Sequence, residues 1–226
     1  MIELVLAAAL MAQDSVIVAT QRISRDELEA LRPDFTNGLP LCDQLEADQT
    51  HQDCALLTEG YGFILTFEFS PLDDRREMID ATVRHADGPL AQTMSYATES
   101  FFYPSLNDLN GDGMEELLVP LETGNINTTY SLAVGTEYGF EWTSYELNGY
   151  GIDPVGDGVF MAAARDSAIS RYIEFYRLDG LELDNIATVF LTYETVEDVD
   201  EGPDCSLVDG GEAEGEAYYC GLALNP

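Results

Sequence analysis

The stretch from Asp108 to Val119 reads D-L-N-G-D-G-M-E-E-L-L-V and decides both the fold and the chemistry that we predict. Side-chain oxygens recur at its first, third, fifth and ninth positions. Hard cations such as Ca²⁺ prefer six to eight oxygen ligands at about 2.3–2.6 Å, and acidic residues in a tight loop supply them. The glycines allow a sharp turn, because glycine adopts positive φ without steric cost. We predict calcium ligands from the side chains of Asp108, Asn110, Asp112 and Glu116 and from the carbonyl of Met114.

The end of this stretch distinguishes it from an EF-hand. An EF-hand places a bidentate Glu at position twelve and continues as a helix. Position twelve is Val119 here, and the residues from Leu117 to Leu121 are typical of a buried strand. An acidic β-turn rich in Asn and Gly, with no ion, is the alternative interpretation. We favour calcium, because three carboxylates in one turn repel one another in a molecule that is already strongly negative.

A second copy of the pattern indicates an internal repeat. D-P-V-G-D-G begins at Asp153, 45 positions after the first loop begins. Hairpin patterns run from Tyr130 to Tyr145 and from Tyr172 to Val189, the latter turning at Asp179-Gly180, and an earlier one turns at Asp87-Gly88. Strands, turns and hairpins recurring about every 45 residues are typical of propeller blades and related β-meanders. A generic antiparallel protein is the alternative.

The second copy retains the turn residues and loses two ligands. Its first and fifth positions are Asp153 and Asp157. Val155 takes the position of Asn110 in the first copy, and Met161 takes the position of Glu116. We therefore expect this copy to form its turn without a metal ion.

The residues before the repeat predict a small cap followed by a strand. Ser24 is a candidate N-cap for the short helix R-D-E-L-E-A-L-R, which Pro33 ends. Residues 34–58 are predicted to form an irregular, disulfide-stapled cap. A period-two pattern then predicts a strand that Pro71 ends. The residues on its apolar face are Tyr61, Phe63, Leu65, Phe67 and Phe69.

Four cysteines at local spacings predict disulfides and an oxidising compartment. Three pairings are possible, and the cost of loop closure favours Cys42 with Cys54 and Cys205 with Cys220. Each would stabilise the fold by ~3 kcal/mol. Zinc is the alternative, but the chain has no C-x-x-C and only His51 lies close by. We expect His51 to be a surface residue.

Residues 1–12 form an apolar run that is too short to span a bilayer. They resemble the apolar region of a signal peptide, with cleavage after Ala12, although Glu3 replaces the usual basic residues. An internal start codon or a buried first strand is the alternative. The expected location is periplasmic or secreted.

Charge limits the classes of function. The 226 residues include 43 acidic and nine basic residues, which gives a net charge of −34. This field repels nucleic acid and anionic lipid, so we expect neither as a partner. It favours cations and basic proteins. With 46% apolar residues the chain can still bury a core.

These observations together predict an all-β protein, an antiparallel β-meander of propeller type with a calcium-loop blade and a small N-terminal helical, disulfide-stapled cap. The predicted divisions are a signal peptide (1–12), a cap (13–60) and a propeller-like domain (61–226). Within that domain lie the calcium blade (108–147), its degenerate copy (153–190) and an acidic tail (194–226). Residues 217–224 are predicted as a last edge strand.

The loop resembles the D-x-N-x-D-G-x-x-[DE] loop that opens a blade in FG-GAP and VCBS-type repeat proteins, where a strand also follows. The resemblance covers residues 108–147 well and 153–190 poorly. It implies a calcium-binding β-loop with the five ligands named above.

The same loop followed by G-N-I-N-T-T-Y also resembles a group of small exported bacterial proteins with one calcium loop, including periplasmic lysozyme inhibitors and immunity proteins. Those inhibitors use Ser-Gly loops, and this chain contains no Ser-Gly. The resemblance implies a binding protein whose partner is a basic protein such as a hydrolase.

No catalytic motif is present: G-x-S-x-G, the P-loop and G-x-G-x-x-G are all absent from the sequence. We therefore predict an exported calcium-binding β-protein that acts as a non-catalytic protein-binding or inhibitor-like module. The alternative is an exported carboxylate-based hydrolase with a structural calcium site.

Overall fold

The computed structural model describes residues 36, 38–47, 51–59, 62–85, 90–193, 202–211 and 214–225. The predicted signal peptide, the helix expected after Ser24 and the turn expected at Asp87-Gly88 lie outside these residues. Within them the chain forms thirteen β-strands, one short 3₁₀ turn (Cys42–Gln44) and one α-helix, α1 (Glu216–Leu224).

The strands form three sheets, and each sheet is an antiparallel meander of strands that follow one another in the chain. The first sheet contains β1 (Cys54–Leu57), β2 (Phe63–Pro71), β3 (Glu77–His85) and β4 (Leu90–Thr98). The second contains β5 (Ser105–Asn107), β6 (Glu116–Thr123), β7 (Thr128–Thr136) and β8 (Gly139–Gly149). The third contains β9 (Gly151–Gly156), β10 (Val159–Arg165), β11 (Ser170–Asp179), β12 (Glu182–Thr192) and β13 (Asp204–Gly210).

The alternation of side chains along each strand explains how the sheets pack. In β2, Phe63, Leu65 and Phe67 share a buried face, as the sequence predicts. In β6, five consecutive residues (116–120) are buried, with Leu117 and Val119 on one face and Leu118 on the other. The second sheet is therefore covered on both faces.

Three hydrophobic clusters accordingly lie in series through the molecule. The cluster between the first and second sheets includes Phe63, Leu65, Phe67, Ile79, Leu117, Val119 and Phe140. The cluster between the second and third sheets includes Leu109, Leu118, Leu132, Leu147, Phe160 and Leu178. The cluster between the third sheet and α1 includes Ile173, Phe175, Val189, Leu191, Tyr219 and Ala223.

The stack has two edges at which successive strands are joined. One of them, called the loop edge, contains the β1–β2, β5–β6 and β9–β10 connections. Two of these connections are joined by a hydrogen bond, in which Glu59 N donates to Glu115 Oε2 at 2.6 Å. At the other, called the far edge, lie the β2–β3, β6–β7 and β10–β11 connections. Here the side chain of Asn127 bonds the backbone of Arg165 through both its amide nitrogen (2.9 Å) and its oxygen (2.8 Å).

The prediction of an all-β protein is confirmed, but the structure shows no propeller. The three sheets form an open stack, and in the part of the chain that the structure describes no closed ring or barrel is formed. None of the three hydrophobic clusters joins the first sheet to the third. The predicted hairpins are present as β7–β8 and β11–β12, the latter turning at Gly180-Leu181, one residue later than expected.

The C-terminal segment is a helix, and the predicted edge strand at 217–224 is wrong. Tyr219 and Ala223 lie one helical turn apart and are both buried against the third sheet, whose outer face would otherwise be open. The strand prediction took account of local propensity and could not include this packing. No helix among the described residues is long and apolar enough to cross a membrane.

Both predicted disulfides are confirmed. Cys42 bonds Cys54 and Cys205 bonds Cys220. The first joins the 3₁₀ turn to β1, so β1 belongs to the first sheet although its sequence lies in the predicted cap. The second ties α1 to β13 at the end of the stack.

Candidate functional site

The acidic loop predicted to bind calcium consists of residues 108–115 and joins β5 to β6 at the loop edge. Its base is closed by the pairing of Asn107 with Glu116. Leu109, the second residue of the loop, is 1% exposed and inserts between the second and third sheets. The loop is therefore anchored to the core by an apolar side chain.

Hydrogen bonds from backbone amides to side-chain oxygens hold the loop in its turn. Asp108 accepts from Gly111 N through Oδ1 (2.8 Å) and from Gly113 N through Oδ2 (3.0 Å). Asn110 Oδ1 accepts from Asp112 N (2.9 Å). Both glycines have positive φ (74° and 84°), which their predicted role in the turn requires.

Glu116 is the first residue of β6 and the most buried of the predicted ligands, with 0% of its surface exposed. Its Oε2 accepts from Leu109 N at 2.8 Å. Its Oε1 is buried and has no hydrogen-bond partner in the described structure. Burial raises the pKa of this carboxyl to about 8; the Leu109 amide opposes the rise, and the negative charges of Asp112 and Asp108 add to it.

The structure thus brings the predicted ligands into one loop without drawing their carboxylates into a ready-made cluster. Among the described residues, no group of three His, Cys, Asp or Glu side chains is arranged to hold a metal ion. The physical reason is that the loop oxygens are used by backbone amides: Met114 N, for example, donates to Asp112 Oδ1 at 2.7 Å. Asp112 is exposed, whereas Asp108 and Asn110 are partly buried.

The donor set nevertheless fits a hard divalent cation. Only oxygen atoms are offered, three of the side chains are carboxylates, and one buried oxygen of Glu116 has no partner. A buried carboxylate without full pairing is costly, and a cation beside it removes that cost. Asp108, Asn110, Asp112 and Glu116 are the side chains that would hold the ion.

Two supports of the loop were not predicted. Glu115 Oε2 accepts from Glu59 N, which ties the end of the loop to the β1–β2 connection. Gly135 of β7 packs against the backbone of Glu115, and a Cβ at this position would be 2.4 Å from the carbonyl oxygen of Glu115. The available signal was an isolated glycine within a strand pattern, which indicates close approach of another backbone.

The degenerate copy has a different structure from the loop it matches in sequence. Asp153 lies within β9 and pairs with Met161 of β10. The connection itself is a two-residue hairpin turn formed by Asp157 (φ 53°) and Gly158 (φ 73°). Positive φ at both central residues is the geometry that suits a tight β-hairpin.

His51 is buried, so the expectation that it is a surface residue is wrong. Its Nδ1 is bonded to Glu77 Oε2, and its Nε2 bonds the carbonyl of Phe102 at 3.2 Å. Its ring stacks on Phe69 with 4.6 Å between centroids and meets Tyr103 edge-on at 4.8 Å. Both ring nitrogens are occupied, which gives His51 a structural role in joining the first sheet to the chain that leaves β4.

No protein-family model matches the chain, and no curated protein matches it in sequence. A solved structure of a Xanthomonas type IV secretion system related protein is similar to it, with 12% sequence identity and a TM-score of 0.45. The similarity covers 72% of this chain and 91% of that one.

Proposed function

We propose that this protein is an exported β-protein that binds calcium through the β5–β6 loop and acts as a non-catalytic binding module. The calcium proposal rests mainly on the burial of the Glu116 carboxyl group. A carboxylate that is fully removed from solvent, with one oxygen lacking a partner and two aspartates close by, is poorly stabilised on its own. A bound divalent cation supplies the missing charge and the missing contact.

The ligand chemistry favours Ca²⁺ over Mg²⁺. Ca²⁺ accepts six to eight oxygens in flexible geometry, whereas Mg²⁺ demands near-ideal octahedral geometry and loses its water reluctantly. A loop whose oxygens come from exposed Asp112, partly buried Asp108 and buried Glu116 offers an irregular set. Three carboxylates in an exported module are consistent with an affinity in the ~10⁻⁵ to 10⁻³ M range.

The two disulfides support export to an oxidising compartment. The proposed partner is a basic protein such as a hydrolase, which the charge of −34 would attract over a distance set by the salt concentration. Such steering predicts an association rate that falls steeply as ionic strength rises.

Thermal melting tests the calcium proposal. We expect Ca²⁺ to raise the midpoint of the natural chain relative to chelator, and Mg²⁺ to raise it much less. The stabilisation should reach about 2.7 kcal/mol when free Ca²⁺ is a hundred times its dissociation constant. A midpoint that does not respond to chelation contradicts the proposal.

A matched pair of variants locates the effect. Asp112→Ala removes a predicted ligand from the acidic loop, and Asp157→Ala removes the equivalent aspartate from the two-residue turn. We expect the calcium response to be lost in the first variant and retained in the second. Loss in Asp157→Ala with retention in Asp112→Ala would place the ion elsewhere.

A further inference from the structure

The far edge carries a small cavity with an unusual lining for so acidic a protein. Its volume is about 260 Å³, and it lies between the β10–β11 connection, the start of β9 and the end of β12. Two arginines and two tyrosines contribute to the wall, namely Arg165, Arg171, Tyr150 and Tyr193. Among the residues that the structure describes, no aspartate or glutamate lines it, although the chain has 43 acidic residues and only nine basic ones.

The two arginines face each other across a pair of strands. Arg165 ends β10 and pairs directly with Arg171 near the start of β11. Like charges directly opposite in an antiparallel pair destabilise it. Among the described residues neither guanidinium lies within ion-pair distance of a carboxylate. Within the described part of the chain, the repulsion between them is therefore not relieved by an ion pair.

The hydrogen-bond partners of these arginines leave donors free. Arg165 donates from Nε to Ser167 O (2.9 Å) and from Nη2 to Ala168 O (3.4 Å), which holds the β10–β11 connection. Arg171 donates to the hydroxyl oxygens of Tyr150 (3.2 Å) and Tyr193 (3.3 Å). Since both hydroxyls accept these bonds, their own hydrogens remain available.

One donor of Arg171 is buried and has no partner at all. Its Nε is removed from solvent and makes no hydrogen bond within the described structure. A buried donor without an acceptor costs free energy. This Nε is not presented to the cavity as it stands, which is lined by guanidinium and phenol groups with Ile126 and Ile169 supplying apolar surface beside them.

The acidic residue that follows Arg165 in the chain is already engaged. Asp166 Oδ2 accepts from Ser170 Oγ at 2.9 Å, and Asp166 lines the neighbouring cavity of about 550 Å³ instead of this one. That neighbouring cavity also contains Glu122, so its charge is mixed. Among the described residues, the smaller cavity is lined by two arginines and by no carboxylate.

We propose that this cavity is a binding site for a small carboxylate with a short apolar chain. A carboxylate accepts from planar guanidinium groups in a matched geometry, and it would neutralise two opposed positive charges. The volume accommodates a carboxylate with a short acyl chain. A doubly charged phosphate is less suited, because the molecule carries −34 outside this wall. The site lies at the opposite edge from the acidic loop and does not depend on the calcium proposal.

Nuclear magnetic resonance on the full chain tests this site, with butyrate as the probe at constant ionic strength. The guanidinium N–H signals of Arg165 and Arg171 and the amides of residues 167–170 report on changes at the wall. We expect saturable shifts of these signals with butyrate and none with butyramide, its neutral analogue. Shifts that do not saturate, or equal shifts with both compounds, overturn the proposal. Stronger binding of inorganic phosphate than of butyrate overturns the assignment to a carboxylate.

Variants separate the site from the general charge of the molecule. Arg165→Gln should weaken butyrate at least about tenfold, because it removes a charged donor from the wall. Arg171→Lys retains the charge and loses the planar fork, so it should also weaken binding. Arg177→Gln is the matched control, since Arg177 is exposed at the other end of β11. Equal loss of binding in Arg177→Gln overturns the proposal. A dispersed amide spectrum confirms that each variant is folded.

Discussion

The β5–β6 loop and the β9–β10 turn join the first two strands of consecutive sheets, and they lie side by side at the loop edge. A Cβ on Gly158 of the turn would be 3.4 Å from the carbonyl oxygen of Asn110 in the loop. The turn consists of two residues, and both have positive φ. The loop makes the equivalent connection with residues 108–115, which include a buried leucine and are followed by a buried glutamate.

The difference shows what the longer loop adds. A meander needs only a short turn at this position, as the third sheet demonstrates. The extra residues of the loop bring Asp108 and Asp112 into the segment that precedes the buried Glu116, and they are held by Leu109. The buried, partly unpaired carboxyl of Glu116 costs stability, and the short turn of the third sheet has no such group.

The largest expected effect comes from the anchor of the loop. Leu109→Ala should destabilise the protein by about 2–5 kcal/mol, because it opens a cavity between the second and third sheets. Leu181→Ala in the β11–β12 turn is the control, since that side chain is 40% exposed, and it should change stability by less than about 0.5 kcal/mol. Chemical denaturation in calcium measures both. Similar values would mean that the loop is not anchored through Leu109.

The second prediction concerns pH and the carboxyl of Glu116. Its pKa in the folded, metal-free chain is raised to about 8 from 4.5, so the folded state holds this proton more tightly than the unfolded state. The resulting contribution to stability is complete below pH 4.5 and is lost as the pH rises toward about 8. In chelator, the natural chain should therefore lose stability across this range.

Calcium should act in the opposite direction over the same range, because it binds the ionised carboxylate. Glu116→Gln should remove both effects, whereas Asp153→Asn in β9 should leave both unchanged. Denaturation curves between pH 5 and 8, with calcium and with chelator, measure the difference. Retention of the chelator-dependent pH profile in Glu116→Gln would assign the proton to another group.

The third prediction compares a glycine of the loop with a glycine of the turn. Gly111 and Gly158 both have positive φ, at 74° and 73°. Alanine at either position should cost about 1–2 kcal/mol, because an L side chain is strained in that conformation. Gly221→Ala in α1 should instead stabilise by about 0.5–1 kcal/mol, since nothing lies within 4 Å of the added Cβ. Stability measured in chelator separates the backbone effect from ion binding.

The smallest effect is expected in the turn. Asp157 has a φ of 53°, which is unusual for a residue with a side chain, and Asp157→Gly should change stability by no more than about 0.5 kcal/mol. Asp112→Gly should abolish the calcium response. If Asp157→Gly also reduced that response, the turn and the loop would share the ion.

Local sequence patterns were sufficient for much of the fold. Alternation along β2 and the consecutive apolar residues of β6 indicate strands because side chains in a strand point to opposite faces. The cysteine pairs are close enough in sequence for loop closure to select them. The helix at Glu216–Leu224 was missed because its buried face is defined by the third sheet, which is distant in sequence.

The candidate site was only partly accessible from sequence. The pattern of oxygens identifies Asp108 and Asp112 as loop residues, but it cannot distinguish the exposed Asp112 from the fully buried Glu116. Burial depends on how the second and third sheets meet. The same limit applies to Arg165 and Arg171, whose opposition depends on the register of β10 and β11.

The burial of the second sheet on both faces also limits how this protein can vary. Neighbouring residues Leu117 and Leu118 belong to different hydrophobic clusters, and so do Leu132 and Ala133 of β7. A polar residue at any of these positions has no solvent face to occupy. We therefore expect the middle of the stack to tolerate only apolar exchanges of similar volume, while the connections at the two edges tolerate substitution more readily.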